Sequence, residues 1–440
     1  MTSATAAAGT APGLAWDSRY EWRAVLLLTL GFGLVGLDRW VIADLAGLRS
    51  STMVSDLALR PQDVGNLVAS LGIAWGVSSL FMGNLSDVFG RRRVIVPSLV
   101  LFSILSGFSG LAGTFLAMLL CRITMGLFEG AFCPSSFAAV AEASLPRRRG
   151  NNLGFQQSAF ALFGLGFGPT IAALLLGSMS WRWVFAIVGI PGLIVAALAA
   201  RIIREPASIL ARRQSQATGR AVAKPPRLSL AALTSHRNLP LSMAGQLCAM
   251  CGIFVLSAFT PAYLSGYLHL SDAATAGVTS AIGFGGFLGQ WGLPAASDRF
   301  GRRAVAITGF VVSSGFLLLF TRLDAASGVT TLFATLFLAS GFSFGLLSLI
   351  SGPIASEAAP LGMVGGVIGV VAAVAEIFGG GVAPSLGGYI AQHYGIQHVL
   401  WLALAGLVAG IVVSLFFIET APRLARIGEG ERSALDATVS

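Results

Sequence analysis

Charge is what this chain has least of. Only 11% of its 440 residues are Asp, Glu, Lys or Arg, and Lys224 is its one lysine. A soluble chain of this length would form two or three domains with a far more polar composition, so that class is excluded. Cysteine is scarce too: Cys121, Cys133, Cys248 and Cys251 all lie inside apolar runs. Cys248-Ala249-Met250-Cys251 has the C-x-x-C spacing of redox motifs, but within a membrane helix it reads as small packing residues. The four histidines, His236, His269, His393 and His398, lie outside the apolar cores. No H-E-x-x-H, phosphate-binding loop or metal-spaced cluster occurs, so neither a metal nor a cofactor is expected. Gly341-Phe342-Ser343-Phe344-Gly345 matches G-x-S-x-G, yet that motif needs a strand–turn–helix elbow with acid and His partners. Here it falls in an apolar helical run, and an enzyme is not expected.

Apolar sequence fills the space that charge leaves. Hydrophobic residues make up 55% of the chain and the mean hydropathy is +0.80. A helix needs about 20 apolar residues to cross a bilayer, and the runs predict twelve such helices. Six lie near 22–48, 62–84, 92–112, 114–143, 152–178 and 181–203; six more lie near 239–265, 273–297, 303–322, 328–357, 361–391 and 397–419. The expected fold is an all-α polytopic membrane protein. Its first half spans 1–203, a cytoplasmic central loop 204–237, and the second half, with a short cytoplasmic tail, 238–440. The first run, from Trp22, is too long and too charged for a signal-peptide core, so an uncleaved first helix is expected.

Basic residues set the orientation. With both termini inside, cytoplasmic segments hold 22 of the 28 Lys and Arg, outer loops hold four (Arg49, Arg60, Arg182, Arg322), and two are intramembrane. Excess Lys and Arg marks the cytoplasmic side. The formal net charge of +9 therefore reports topology and not a nucleic-acid partner. The two sets of spans also repeat each other. Ser86-Asp87-Val88-Phe89-Gly90-Arg91-Arg92 recurs as Ser297-Asp298-Arg299-Phe300-Gly301-Arg302-Arg303, an offset of 211. Gly168-Pro169-Thr170-Ile171 recurs as Ala383-Pro384-Ser385-Leu386, an offset of 215. Two markers with near-equal offsets predict pseudo-symmetric six-helix halves with a substrate site near the midplane between them.

Gly83-Asn84-Leu85-Ser86-Asp87-Val88-Phe89-Gly90-Arg91-Arg92 resembles the loop signature G-x-L-x-D-x-x-G-R-R of the major facilitator superfamily. That resemblance implies a membrane transporter with a cytoplasmic conformational loop motif, Gly83, Asp87, Gly90, Arg91 and Arg92, whose Asp and Arg stabilise the outward-facing state. Leu37-Asp38-Arg39, the stretch from Arg122 through Glu129 to Pro134, and Trp181-Arg182-Trp183 resemble the organic anion:cation symporter branch, which carries sugar acids, sialic acid and glutamate. Spinster-like lysolipid exporters share the Asp-Arg pair and the glutamate of helix 4, and Arg204-Glu205-Pro206 is closer to them. The glycines of Gly164-Leu165-Gly166-Phe167-Gly168-Pro169 permit close packing and bending, and resemble an antiporter pattern.

Charges buried in such a chain are the candidate site. An ionisable group at mid-bilayer costs about 2.5–3.5 kcal/mol on insertion scales, so it marks a transport pathway by default. Arg122 and Glu129 are seven residues apart and share a helix face. Counting about 1.5 Å per residue places Asp38 and Arg122 at similar depth. Arginine suits a carboxylate anchor, and a proton-coupled carrier needs a carboxylate whose proton affinity changes with its surroundings. The expectation is that Arg39 and Arg122 bind a carboxylate, Arg122 pairing alternately with Asp38, while Asp38 and Glu129 carry protons. A static Asp38–Arg122 bridge is the alternative. Glu376 is the one acidic residue well inside the second half's spans; it fits a substrate contact, a second proton site or a lateral bridge. Asp44, Glu142 and Glu357 near helix ends read as solvated or bridged to arginines. Gln156 and Gln157 offer a polyol contact or helix packing. Trp40, Phe128 and Phe132 leave room for an aromatic acid, or pack against lipid.

The combined expectation is a monomeric carrier of the cell inner membrane, with the bilayer and a small organic anion as partners and H+ as the coupling ion. Proton-linked export of lysolipids or drugs is the rival.

Overall fold

The computed structural model describes residues 17–205, 233–360 and 363–421, apart from the side chains of Gly83, Asn84, Asp87 and Val88. Most of the central loop, including Arg212, Arg213, Arg220, Lys224 and Arg227, lies outside the described residues. So do the three arginines of the tail and the side chain of Asp87.

Twelve long helices account for nearly all of the described chain. They are α1 Ser18–Gly47, α2 Pro61–Phe89, α3 Arg91–Ser109, α4 Phe115–Ala143, α5 Arg149–Leu176 and α6 Trp181–Ile202. After the central loop come α7 Asn238–Tyr267, α8 Asp272–Phe300, α9 Arg302–Phe320, α10 Val329–Ala358, α11 Val364–Tyr394 and α12 Ile396–Ser414. Every predicted span has its helix, with ends within five residues of expectation. Eleven of them are long and apolar enough to cross a membrane. The other, α8, is rich in Gly, Ala, Ser and Thr because it faces protein. A Cβ on Gly283 would lie 1.8 Å from the Gly166 nitrogen of α5, and one on Gly289 would lie 1.7 Å from the Gly341 carbonyl of α10. Small residues of this kind let helices close without a hydrophobic driving force.

Helices α1 and α7 form the centre. Other helices bury 89% of the apolar window of α1 and 83% of that of α7, against 33% for α12. Four wide π-helical turns interrupt the bundle, at Leu162–Phe167, Tyr263–Tyr267, Ile350–Ile354 and Ala375–Val382. Each contains or lies within two residues of a proline: Pro169, Pro261, Pro353 and Pro384. Proline lacks an N–H and its ring collides with the carbonyl four residues back, and a widened turn relieves both. The first and last occupy repeat-related places on α5 and α11.

The duplicated loop motif folds identically in the two halves. Gly90 (φ 103°) and Gly301 (φ 96°) turn the chain from one helix into the next in a conformation that disfavours side chains. Glu205, at the end of α6, accepts the Arg91 amide at 2.9 Å, and the Arg91 guanidinium reaches Glu142 at 3.0 Å. Its counterpart Glu419 accepts the Arg302 amide at 2.8 Å, and Arg302 reaches Glu357 at 2.8 Å. Glu142 and Glu357 thus bridge to arginines as expected. Each carboxylate on an amide also satisfies an orphan donor at a helix N-terminus.

Gly90→Ala is therefore expected to lower stability in detergent by about 1–3 kcal/mol, the usual cost of forcing a side chain into such backbone. The added Cβ would also lie 2.5 Å from the Glu205 carboxylate. Gly107→Ala, where nothing lies within 4 Å, should be neutral or stabilising. Thermal unfolding of the two variants checks the contrast.

Candidate functional site

The central helix α1 carries Asp38 and Arg39, which diverge by about 100° as neighbours on a helix must. Asp38 turns into the first half. It is 1% exposed and accepts a hydrogen bond from the hydroxyl of Ser106 on α3, which also donates to the Phe185 carbonyl of α6 at 3.2 Å. Arg39 turns the other way, into the seam between the halves, and forms a 2.7 Å ion pair with Glu376 of α11. Of the alternatives for Glu376, the structure shows the bridge.

Backbone closeness makes that pair possible. A Cβ on Gly72 of α2 would lie 2.6 Å from the Gly380 carbonyl and 3.2 Å from Arg39 Nη2, and one on Gly380 would lie 2.7 Å from Glu376 Oε2. Glycine is thus required on both walls. The other walls are aromatic: the Arg39 guanidinium carbon sits 4.6 Å from the Phe254 ring centroid, 4.8 Å from Trp75, and 5.9 Å from both Trp40 and Phe160. Ring faces stabilise a cation electrostatically. Its Nε and Nη1 make no hydrogen bond, which leaves donor capacity for a ligand.

Arg122 meets α1 but not as the expected ion pair. Its guanidinium donates to the carbonyls of Asp38 at 3.0 Å and Arg39 at 2.8 Å. Among the described residues no ion pair joins Arg122 to Asp38, because Ser106 already holds the carboxylate. Glu129 on α4 is fully buried and neither of its oxygens is hydrogen-bonded. The expectation for Asp44 is corrected outright. It is 2% exposed, and among the described residues its Oδ2 has no hydrogen-bond partner and it joins no ion pair.

Other candidates fall to packing. Gln156 donates to Ser136 of α4 at 3.0 Å, which ties two helices together. Phe132 packs edge-on against Phe102 within the first half, and Phe128 is half-buried, so of the three aromatics named from sequence only Trp40 lines the site. Trp75, Phe160 and Phe254 were not foreseen. The available signal was Gly72-x-x-x-Gly76 on α2 together with Gly379-Gly380-Gly381 just after Glu376, which mark a close helix approach around a charge. Among the described residues no cluster of His, Cys, Asp and Glu could hold a metal. Cys248 and Cys251 are buried and free.

Comparison with known proteins places this geometry. The family model of the Major Facilitator Superfamily matches residues 28–296 and 243–438. A protein of Cupriavidus pinatubonensis described as a probable 4-methylmuconolactone transporter is 28% identical over 80% of this chain and 79% of its own length. Multidrug resistance protein 3 of Bacillus subtilis is 32% identical over a shorter stretch, 33% of this chain and 31% of that protein. The solved structure of a bacterial homologue of the human lysosomal transporter Spinster, inward-facing and unoccupied, matches with a TM-score of 0.70. It covers 93% of this chain and 98% of that one at 17% identity, a likeness of fold.

Removing one member of a buried ion pair strands the other and costs about 3–5 kcal/mol. Arg39→Met and Glu376→Gln are each expected to lower stability on that scale. The double variant should lose less than the sum by at least about 1 kcal/mol, the signature of coupled neighbours. Thermal unfolding of the four proteins in detergent measures it; additive losses would mean that the two residues act independently.

Proposed function

The chain belongs to the major facilitator superfamily, and from that premise we propose that it couples proton entry to uptake of a small organic anion such as a sugar acid or aromatic acid. The observation that carries this reading is the Arg39–Glu376 pair: a cation with unused donors, held between the halves, inside aromatic walls. A substrate carboxylate can take the place of Glu376 on Arg39, while the rings pack against its body. Charge-assisted, planar recognition of this kind is what arginine supplies. Glu129, two turns from Arg122 on α4, is the group to which we assign the coupling proton, with Asp38 exchanging its serine partner for Arg122 as α1 moves. Arg122 is then the second cationic contact for substrate. A carrier of a small oxygenated metabolite among the relatives agrees with this assignment.

The orientation rests on charge. The Arg91–Arg93, Arg147–Arg149 and Arg302–Arg303 turns and the central loop lie at one end of the bundle, which the excess of arginine makes cytoplasmic. The halves meet at the opposite end. Gln62 and Asn66 of α2 hydrogen-bond Ser385 of α11, and Arg49 and Ser50 after α1 donate their amides to Asp272 of α8, both at 2.8 Å. This is an outer seal.

The multidrug relative favours the rival, proton-linked export of amphiphiles, and one experiment separates the two. Proteoliposomes containing a pH dye are offered sugar acids, aromatic acids and dicarboxylates from outside. Inward proton flow with one class, abolished in Glu129→Gln, is the expected result. Arg39→Lys should raise the KM for that class roughly 10- to 100-fold, since hydrogen bonds to charged groups are worth about 1.5–3 kcal/mol. Silence with every acid, and flux only with lysolipids or cationic drugs, would overturn the symport reading.

A further inference from the structure

Asp44 has no place in the scheme above, and its position is unusual. It lies four residues after Trp40 and three before Gly47, so all three share one face of α1. Trp40 stands edge-on to Phe254 of α7 at 5.0 Å, and a Cβ on Gly164 of α5 would lie 2.9 Å from its ring. A Cβ on Gly47 would lie 2.3 Å from Pro261 and 2.6 Å from the Ala262 nitrogen, both on α7. Trp40 and Gly47 thus mark the surface on which α1 closes against the second half, and Asp44 lies between them along the helix, at the border of that surface with α5. Its Oδ2 faces Gly168 of α5, where a Cβ would lie 3.6 Å away.

Among the described residues no cation attends it. Arg49, one turn beyond, is engaged by the Ser265 carbonyl at 2.7 Å and by His269 at 3.1 Å, and its amide by Asp272. Arg182 of α6 donates to the carbonyls of Gly110 and Ala112, and Arg60, just before α2, pairs with Asp63. Asp56 accepts the Trp181 indole N–H, and Tyr263 of α7 packs on Tyr267 and Phe320. On α4, Arg122 is committed to the α1 carbonyls and Glu129 is acidic. The nearby stretch of α8 offers Thr275 and Thr279, buried hydroxyls that themselves lack partners.

We propose that Asp44 is a second proton-binding site of the carrier and that its proton licenses closure of the outer seal. With Asp44 ionised, closing the second half's α7 onto α1 beside α5 would bury a carboxylate with no counter-charge, which is severely unfavourable. With a proton on its carboxyl group the same face closes as a neutral surface. The proton binds from the outer side while the halves are apart there, and closure traps it. The inference rests on the reading that the halves separate at this end during transport, but not on any substrate.

The test uses no substrate. Ser385→Cys places a thiol in the outer seal, and its rate of reaction with a membrane-impermeant maleimide reports opening. Each rate is divided by that of Ser178→Cys, an exposed position in the α5–α6 turn at the same end, which removes the intrinsic pH dependence of the thiol. In the otherwise unchanged protein, the normalised rate should rise from mildly acidic to mildly alkaline buffer. One proton can shift the equilibrium by up to about tenfold per pH unit. Adding Asp44→Asn, nearly the same shape but unable to ionise, should leave the rate low and flat; Asp44→Glu should restore the pH dependence. A parent rate that ignores pH, or an Asp44→Asn protein that keeps the parent profile or is open at every pH, would overturn the proposal. Loss of symport in the proteoliposome assay with this profile intact would instead count against the substrate assignment alone.

Discussion

One ion pair governs the arrangement of this molecule. Arg39 and Glu376 come from different halves and meet in a site almost without solvent, where two charges are tolerated only as partners. Everything around them serves that meeting. Gly72 and Gly380 let α2 and α11 approach until their backbones nearly touch, and the aromatic rings of Trp75 and Phe254 flank the cation. A methyl group on Gly72 would press against the Gly380 backbone, and one on Gly380 would press against the paired ends of Glu376 and Arg39. The pair is thus a property of the backbone contact as much as of the two side chains.

Small residues recur at several places where the halves touch. Gly166 meets Gly283 between α5 and α8, Gly47 meets Pro261 between α1 and α7, and Gly65 meets Gly388 between α2 and α11. Between these close backbone approaches the seam is filled by aromatic pairs, Trp40 with Phe254, Phe155 with Trp291 and Phe167 with Phe284. Widened turns beside Pro169, Pro261, Pro353 and Pro384 place local bends in four of the helices. At the arginine-rich turns Glu205 and Glu419, just after α6 and α12, fasten those helices onto the amides that begin α3 and α9.

Much of this was legible in the sequence. Apolar run length predicts all twelve helices, since the bilayer imposes a minimum span and the chain has little polar residue to spare. The 211–215 offset predicts the duplicated turns, and Glu142 with Glu357 proves to be a further repeat pair. The identity of the partners was not legible. Similar depth for Asp38 and Arg122 follows from the rise per residue, but whether they bond depends on helix rotation and on competitors such as Ser106, which no spacing rule encodes. Asp44 shows the same limit: its distance from the end of α1 suggests solvent, whereas its burial, with Oδ2 facing Gly168 of α5, is a tertiary fact. Trp75, Phe160 and Phe254 come from three helices and converge only in space.

The asymmetry of the site has a consequence for coupling in the proposed cycle. The first half holds Asp38, Arg39, Arg122 and Glu129, and the second contributes Glu376 alone. Separating the halves therefore breaks one ion pair, at a cost of about 3–5 kcal/mol if neither member finds a replacement. In that cycle a substrate carboxylate replaces Glu376 on Arg39, which leaves the Glu376 carboxylate without its counter-charge. Glu376 thus keeps Arg39 neutralised until a substrate carboxylate arrives, while the proton that the proposed cycle assigns to Glu129 is held within the first half.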